Sequence, residues 1–250
     1  MRSPSRTGIA PNAVDLPPPF QLVRLREVGD AFAHAKAIAA EAGAGTLTYV
    51  GRFDFAEFAV VLEPDDPLWS ARLAFYAGMV ALRDALLGQA PPERPITFSW
   101  PDAISVDGGL IGGGRLGWPD GADERAPPDW LVFGASIRTL GLGEQQPGLS
   151  SLATALSEEG FEDAGSDRLV ESFARHLMVA VDAWRANEFA TVTRTYLEHL
   201  TVEKGALPAL AGNGDLLIRW RGQKDPDRHV LATALATPSW FDPATGGPRT

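Results

Sequence analysis

The 250-residue chain carries a formal net charge of −10, and 45% of its residues are hydrophobic while 22% are charged. This length and composition predict one substantial globular domain with a small appendage. The chain contains no cysteine, which excludes disulfides, thiolate zinc sites and a cysteine nucleophile, and fits a reducing compartment. The negative charge disfavours nucleic acid as a partner, because the overall field repels a phosphate backbone.

The N-terminal segment predicts a flexible arm that leads into the ordered domain. Residues 1–19 are rich in Pro, Ser and Arg and end in three consecutive prolines, a composition typical of a linker. The arm contains no apolar stretch that could serve as a signal peptide, and no later run is long enough to span a bilayer. We therefore expect a cytoplasmic protein without a membrane partner, with folding starting near Phe20.

The first half of the domain alternates predicted strands and helices. Alternating polar and apolar residues predict the first strand, and Asp30 provides a helix cap before an alanine-rich segment. Two short β-rich runs predict the next two strands, and the second of them is apolar throughout, as expected of a strand covered on both faces. Apolar residues at helical spacing then predict one long amphipathic helix. The predicted strands span residues 21–26, 46–50 and 58–62, and the predicted helices span residues 31–42 and 68–87.

The second half predicts more strands, two helices and a β-rich tail. Asn213-Gly214-Asp215 is a hairpin signal. The predicted strands span residues 96–100, 103–106, 131–139, 216–220 and 229–234, and the helices span residues 167–184 and 188–200. A glycine-rich stretch over 107–117 separates two of these strands, and residues 237–250 are predicted to be irregular. The chain thus divides into a main domain over 20–203 and a small all-β module over 204–250.

Several segments resemble, in order along the chain, the motifs of one protein family. Trp100-Pro101-Asp102-Ala103-Ile104, followed by Asp107-Gly108-Gly109-Leu110-Ile111-Gly112-Gly113, resembles the Trp-Pro-Asn-Asp-Ile motif and the downstream Gly-Lys-x-x-Gly-Gly stretch of biotin protein ligases. Val132–Arg138 resembles the later Gly-Ile-Gly-Ile-Asn strand of that family. Ala153–Leu156 with Glu159-Gly160 resembles its Ala-Thr-Ser-Leu and Glu-Glu-Gly turn, and 184–196 its last helical pair. Over residues 20–200 the chain resembles an alphaproteobacterial-type branch of the biotin/lipoate A/B protein ligase superfamily.

The resemblance implies a fold and a chemistry. The implied fold is α+β, a mixed β-sheet flanked by helices as in the class II synthetase-like catalytic unit of biotin and lipoate ligases, with a small all-β C-terminal module. The implied chemistry uses ATP, with Mg²⁺, to join a small carboxylic acid to adenylate. The acid would be biotin, lipoate or octanoate, and it would pass to a lysine of an acyl- or biotin-carrier protein.

This chemistry brings two anions together, so its site must supply positive charge. In the family a Gly-Arg-rich loop and one lysine do so. Here the corresponding loop retains Arg52 as its only cation, and the lysine aligns with Gly109. Arg115 lies six residues after Gly109 and shares its face if the strand is unbroken. We therefore predict Arg115 and Arg52 as substitutes for the lysine, although a guanidinium is not equivalent to an ammonium.

The remaining candidates are predicted ligand-binding residues. Strand alternation puts Gly134, Ser136 and Arg138 on one face. Glycines expose backbone N–H groups to a ligand or let strands approach closely, and a tryptophan beside a proline stacks on a heterocycle or packs at a core rim. The predicted ligand-binding set is Trp100, Asp102, Gly109, Gly112, Gly113, Gly114, Gly134, Ser136 and Arg138. The four histidines lack metal-ligand spacing, so no metal site is predicted.

The sequence leaves two functions open. The first is an active ligase or acyltransferase in which an arginine replaces the lysine. The second is a non-catalytic descendant, a ligand-binding or regulatory module that keeps the pocket without the reaction. A weaker third is a protein-interaction role for the C-terminal module. A DNA-binding repressor is disfavoured, because the proline-rich arm is too short for a helix-turn-helix domain.

Overall fold

The computed structural model describes residues 14–141, 153–161, 165–185 and 189–249. Its centre is a seven-stranded sheet in the order β1-β2-β3-β7-β6-β5-β4. The strands are β1 Gln21–Leu25, β2 Thr46–Gly51, β3 Phe55–Leu62, β4 Ile96–Ser99, β5 Ala103–Val106, β6 Gly109–Gly117 and β7 Leu131–Arg138. The helices around it are α1 Ala31–Ala42, α2 Leu68–Ala71, α3 Ala74–Leu87, α4 Ser166–Arg185 and α5 Phe189–Glu198. The predicted α+β architecture is confirmed.

The sheet is mixed because β1 pairs with β2 in parallel, whereas the other neighbours pair antiparallel. A parallel pair requires a crossover connection, and α1 provides it. Asp30 caps this helix as predicted, since its side chain accepts a hydrogen bond from the Ala33 N–H. The capped start of α1 therefore lies over the sheet, beside the end of β1.

The two faces of the sheet differ in their packing. On the face covered by α3 and α4, aromatic rings interlock: Phe58 lies 4.6 Å from Phe173, and Phe173 stacks on Phe133 at 5.7 Å. On the opposite face, called the α1 face below, the fully buried residues of the helix are alanines, which pack with the partly buried Phe32 against Val61 and Val132. Because alanines fill little space, this face depends on other segments to cover the sheet beyond the helix.

The single long helix predicted over 68–87 is wrong. Arg72 and Leu73 separate α2 from α3, with hydrogen bonds of the i→i−3 type across the break. The Arg72 guanidinium is buried over Trp118 and pairs with Glu124 of the following loop. Apolar periodicity does not detect such a break, because two residues of tighter helix preserve the buried stripe.

The glycine-rich stretch predicted as a separator is itself strand β6, in the interior of the sheet. Its pairing with β5 shifts by one residue, because Ser105 pairs with Leu110 while Ile104 pairs with Gly112. Ile111 is thus an additional residue, and it forms a β-bulge. Residues before and after the bulge consequently exchange faces.

The C-terminal region forms small sheets, as predicted. β8 Leu207–Leu210, β9 Leu216–Arg219 and β10 Asp227–His229 make a three-stranded sheet, and β11 Phe241–Asp242 pairs with β12 Gly247–Pro248. The strand predicted over 229–234 is wrong, because α6 occupies Leu231–Leu235 with Leu231 and Leu235 buried one turn apart. The tail predicted to be irregular contains β11 and β12. The domain boundary at 203/204 stays a prediction.

The N-terminal arm is described from Val14 onwards. Val14 and Leu16 pack against the main core, and the Asp15 N–H donates to Glu171 of α4. This part of the predicted flexible arm is therefore packed, and residues 1–13 lie outside the described residues. None of the described helices has the length and apolar character that a bilayer-spanning segment needs.

Candidate functional site

A cavity of about 230 Å³ opens on the α1 face of the sheet. Its walls come from the turn before α1, from strands β3, β6 and β7, and from the C-terminal tail. The lining residues that carry the argument below are Arg52, Glu57, Arg115, Ser136, Trp240 and Phe241. The cavity therefore brings together Arg52, Arg115 and Ser136 of the residues predicted from sequence.

Arg115 lies in this cavity as a cation without an ion-pair partner among the described residues. Its guanidinium lies between two aromatic rings, with its central carbon 4.2 Å from the Phe32 centroid and 4.5 Å from the Phe241 centroid. Within the described residues it makes no hydrogen bond or ion pair. Burial lowers its pKa, against the attraction of Asp30 and Glu57. Aromatic rings make no conventional hydrogen bond with the guanidinium, so its N–H donors remain available to a ligand.

Ser136 supplies a second unpartnered group. Its side chain is 5% exposed, and its buried hydroxyl has no hydrogen-bond partner among the described residues. Buried polar atoms are nearly always hydrogen-bonded, and leaving one unpaired costs about 1–3 kcal/mol. An unpaired hydroxyl beside an unpaired guanidinium is the arrangement expected where a polar ligand binds.

Glu57 lies beside Ser136, since β3 and β7 pair these two residues in register. Its carboxyl accepts a hydrogen bond from the Ala31 N–H at 2.8 Å. Burial raises its pKa above the usual value, so this carboxyl retains a proton more readily than an exposed one. The sequence analysis did not include Glu57, although a lone charged residue in the apolar strand Phe55–Leu62 was a usable signal.

Arg52 lines the same cavity, but its guanidinium is paired with a carboxylate. Its Nε and Nη2 donate to the two carboxylate oxygens of Asp54 at 3.0 and 2.8 Å. These hydrogen bonds raise the pKa of Arg52 and lower that of Asp54. Of the two predicted lysine substitutes, only Arg115 thus has a guanidinium without a carboxylate partner within the described residues.

Residues Ser239–Arg249, called the C-terminal strap below, cover the adjoining part of the α1 face. The Ser239 N–H and hydroxyl donate to the Asp102 carboxylate at 2.9 and 2.6 Å. The Trp240 indole N–H donates to the Gly114 carbonyl at 3.1 Å, and Arg138 Nη2 donates to the Pro248 carbonyl at 2.8 Å. The strap therefore satisfies two predicted ligand-binding side chains, Asp102 and Arg138, with protein partners.

Asp102 is fully buried at the first of these contacts. Burial raises its pKa to about 6, and the two hydrogen bonds from Ser239 oppose that rise. The strap thus holds a carboxylate that is costly to ionise. No local pattern around Ser239 or Trp240 indicated this contact in the sequence.

The predicted glycines do not line the cavity. A Cβ at Gly112 would lie 2.0 Å from the Ser136 carbonyl oxygen, and one at Gly113 would lie 2.0 Å from the Asp102 carbonyl oxygen. Side chains at Gly114 and Gly134 would meet Met79 and Phe32 respectively. These positions require glycine because strands and helices approach closely there.

The shared face predicted for Gly109 and Arg115 is wrong because of the β6 bulge. Gly109 pairs with Val106, which belongs to the aromatic core, whereas Arg115 pairs with Gly134 on the α1 face. A Cβ at Gly109 would meet Thr154. Arg115 consequently does not occupy the place of a lysine at position 109, although it reaches the cavity.

Trp100 lies away from the cavity. Its indole N–H donates to the Tyr76 hydroxyl on α3 at 3.0 Å, and its ring lies 5.8 Å from that of His229. The structure thus places it at the rim of the core, between α3 and the three-stranded C-terminal sheet. It makes no contact there with Arg115 or Ser136.

The cavity offers little positive charge to an ATP triphosphate. Arg52 is neutralised by Asp54, and Glu27, Asp30 and Glu57 line the cavity with Arg115 as the remaining cation. Among the described residues no three His, Asp or Glu side chains are grouped to hold a metal ion. The site can bind one small anion through Arg115 and Ser136, and its carboxylates oppose a polyanion.

The comparisons of the chain with protein-family models and with solved structures agree on one family. The family model described as biotin/lipoate A/B protein ligase family matches residues 16–198. A biotin protein ligase-like protein of unknown function from Silicibacter sp. TM1040 is similar at 26% identity and TM-score 0.78, covering 90% of this chain and 100% of that one. None of the curated protein sequences compared with the chain matches it.

Two more distant structures share the fold. The biotin protein ligase from Aquifex aeolicus in complex with biotin and ATP has TM-score 0.62 at 15% identity, covering 84% of this chain and 95% of that one. The biotin protein ligase from Leishmania major in complex with biotin has TM-score 0.55 at 15% identity, covering 84% and 99%.

Proposed function

Since the chain belongs to the biotin/lipoate A/B protein ligase family, we propose that it binds a small carboxylic acid beside Arg115 and does not activate it with ATP. The acid belongs to the class that the family handles, biotin, lipoate or octanoate. The observation that carries this proposal is the pair of unpartnered donors, the Arg115 guanidinium and the Ser136 hydroxyl, in one cavity.

The geometry supports a carboxylate as the group recognised. A planar guanidinium binds a carboxylate through two parallel N–H donors at its edge, and within the described residues no hydrogen bond or ion pair occupies the donors of Arg115. The Ser136 hydroxyl provides a further donor. The aromatic walls, including Trp240, suit the hydrocarbon part of the acid, because small-molecule sites combine apolar walls with a few polar groups.

The charge balance supports binding without activation. Adenylation places a carboxylate next to a triphosphate, which requires several cations or metal ions. Here one free guanidinium faces three carboxylates, those of Glu27, Asp30 and Glu57. The single guanidinium can offset one negative charge of a ligand, and the carboxylates oppose any further negative charge, as on a triphosphate.

Direct binding tests the proposal. We expect biotin, lipoate or octanoate at about a hundredfold excess over its Kd to raise the melting temperature by about 5–10 °C, by mass action on the folded state. Arg115→Met should weaken binding by about tenfold to a hundredfold, since a charge-assisted hydrogen bond is lost. Arg52→Met is the matched control, because Arg52 lines the same cavity but is bound to Asp54. Absence of binding by all three acids would overturn the proposal.

A second candidate is activation of the acid with ATP and its transfer to a lysine of a carrier protein. The free Arg115 favours it, because an uncommitted cation can stabilise charge that develops on an acyl group. This reaction would exchange labelled pyrophosphate into ATP in the presence of the acid, and Arg115→Met would abolish the exchange. Binding of the acid without exchange would select the first candidate.

A further inference from the structure

We infer that the C-terminal strap sets the length of the acid that the site accepts, and that Trp240 is the residue that closes its far end. This inference rests on the proposed function, because it concerns the same cavity. Trp240 lines the cavity together with Phe241 from the strap. The indole packs on Gly113, next to the backbone carbonyl of Asp102.

Trp240 fills a groove that the glycines of β6 create. Its side chain is 1% exposed, and its indole lies so close to the strand that a Cβ at Gly113 would be 2.4 Å from its Cδ1 atom. The hydrogen bond from the indole N–H to the Gly114 carbonyl holds the ring in this place. Because Gly113 and Gly114 have no side chains, the indole of Trp240 packs directly on β6. It occupies space into which the cavity would otherwise extend.

Contacts at both ends of the strap fix this wall. Ser239 is bound to Asp102, and Arg138 holds the Pro248 carbonyl. Inside the strap, the Arg249 side chain donates to the Ser239 carbonyl at 2.8 Å. Because these contacts do not involve the indole, a smaller residue at 240 leaves the strap attached, and Phe241 stays stacked on Arg115.

The size of the cavity supports a limit on length. Pockets for drug-sized ligands enclose about 300–1,000 Å³, whereas this cavity encloses about 230 Å³. An acid bound at Arg115 extends towards Trp240 and is stopped there. Removing the indole would join the cavity to the groove over Gly113 and admit a longer chain.

A series of unbranched acids from butanoate to decanoate tests the inference by calorimetry. In the native chain, affinity should rise by about fourfold per methylene while the chain fits, and then fall sharply at a cut-off length. In Trp240→Ala and Trp240→Leu the cut-off should move to acids longer by two or more carbons. The readout is the position of the cut-off and not the affinity for any single acid, because Trp240 is itself a wall of the cavity.

Trp130→Leu is the matched control, since Trp130 packs on the same face of the sheet against a different cluster, and it should keep the native cut-off. If short acids bind but the cut-off is unchanged in both Trp240 variants, the inference is overturned and the proposed function stands. If no unbranched acid binds the native chain while biotin or lipoate does, the inference fails and the proposed function stands, whereas absence of binding by biotin, lipoate and octanoate alike means that the proposed function itself fails. If both Trp240 variants unfold, the acid series with the native chain still tests the inference. An affinity that continues to rise up to decanoate would contradict a cavity that Trp240 closes at its far end.

Discussion

The α1 face of the sheet contains two adjacent regions that differ in whether their polar side chains have hydrogen-bond partners. In the strapped region, Asp102 and Arg138 are bound by Ser239 and by the Pro248 carbonyl. In the open region, Arg115 and Ser136 face a cavity and lack hydrogen-bond partners within the described residues. The difference teaches that a motif of the family does not by itself mark a ligand site, because the chain fills part of this surface with its own C-terminal segment.

The strongest test of the comparison is the stability contributed by the strapped region. Trp240→Ala should lower the free energy of unfolding by about 3–5 kcal/mol, since a buried aromatic ring is lost and a void is left. Urea unfolding measures this change. A loss below about 1 kcal/mol would contradict a structural role for the strapped region.

Arg115→Met tests the open region, where function rather than stability should depend on the side chain. We expect acid binding to weaken by about tenfold to a hundredfold, while the free energy of unfolding changes by less than about 1 kcal/mol. The reason is that removing a desolvated, unpaired charge offsets the lost stacking on two rings. Arg138→Met provides the contrast, because it leaves the Pro248 carbonyl unpaired and should destabilise the chain by about 1–3 kcal/mol.

The pH dependence of stability tests Asp102. Its pKa is raised from 3.8 to about 6 in the folded chain, so the folded state binds a proton more tightly than the unfolded state does. The stability from this group is therefore complete below pH 3.8 and is lost as the pH rises through 6. Between pH 8 and pH 5 the native chain should gain about 1–2 kcal/mol relative to Asp102→Asn. Equal pH profiles for the two proteins would refute the assignment.

Ser136→Ala should have the smallest effect. Removing an unpaired buried hydroxyl should leave the free energy of unfolding unchanged or slightly higher, and should weaken acid binding by about twofold to tenfold. Melting curves with and without the acid measure both quantities. A clear loss of stability without the acid would indicate that the hydroxyl has a protein partner. The open region would then resemble the strapped region in this respect.

Much of the fold follows from local patterns in the sequence. The edge strand β1, the capped helix α1 and the alternation of β7 are confirmed, because they depend on periodicity and on a capping residue. The bulge at Ile111 was missed because one additional residue leaves no compositional signal, and it reversed the predicted face of Arg115. The break at Arg72 and the helix α6 were missed because tertiary contacts decide them.

The candidate site was predictable only where it depends on strand alternation. Ser136 was found in this way. Arg115 was selected for a shared face with Gly109 that the bulge removes, and Glu57 was overlooked in an apolar strand. The strap was not predictable, because Asp102 and Ser239 are 137 residues apart. Such contacts depend on the assembled fold rather than on neighbouring residues.

The attachment of the strap also bears on how the molecule assembles and opens. Closing a long loop carries an entropic cost that is recovered only when the contacts at its ends have formed, so we expect the strap to dock after the strands that it covers. Detachment of the strap would regain this entropy while the sheet remains folded. Such local opening of one segment is common in native proteins. The backbone amide of Ser239 would then exchange with deuterium through this local opening, on a timescale separate from global unfolding.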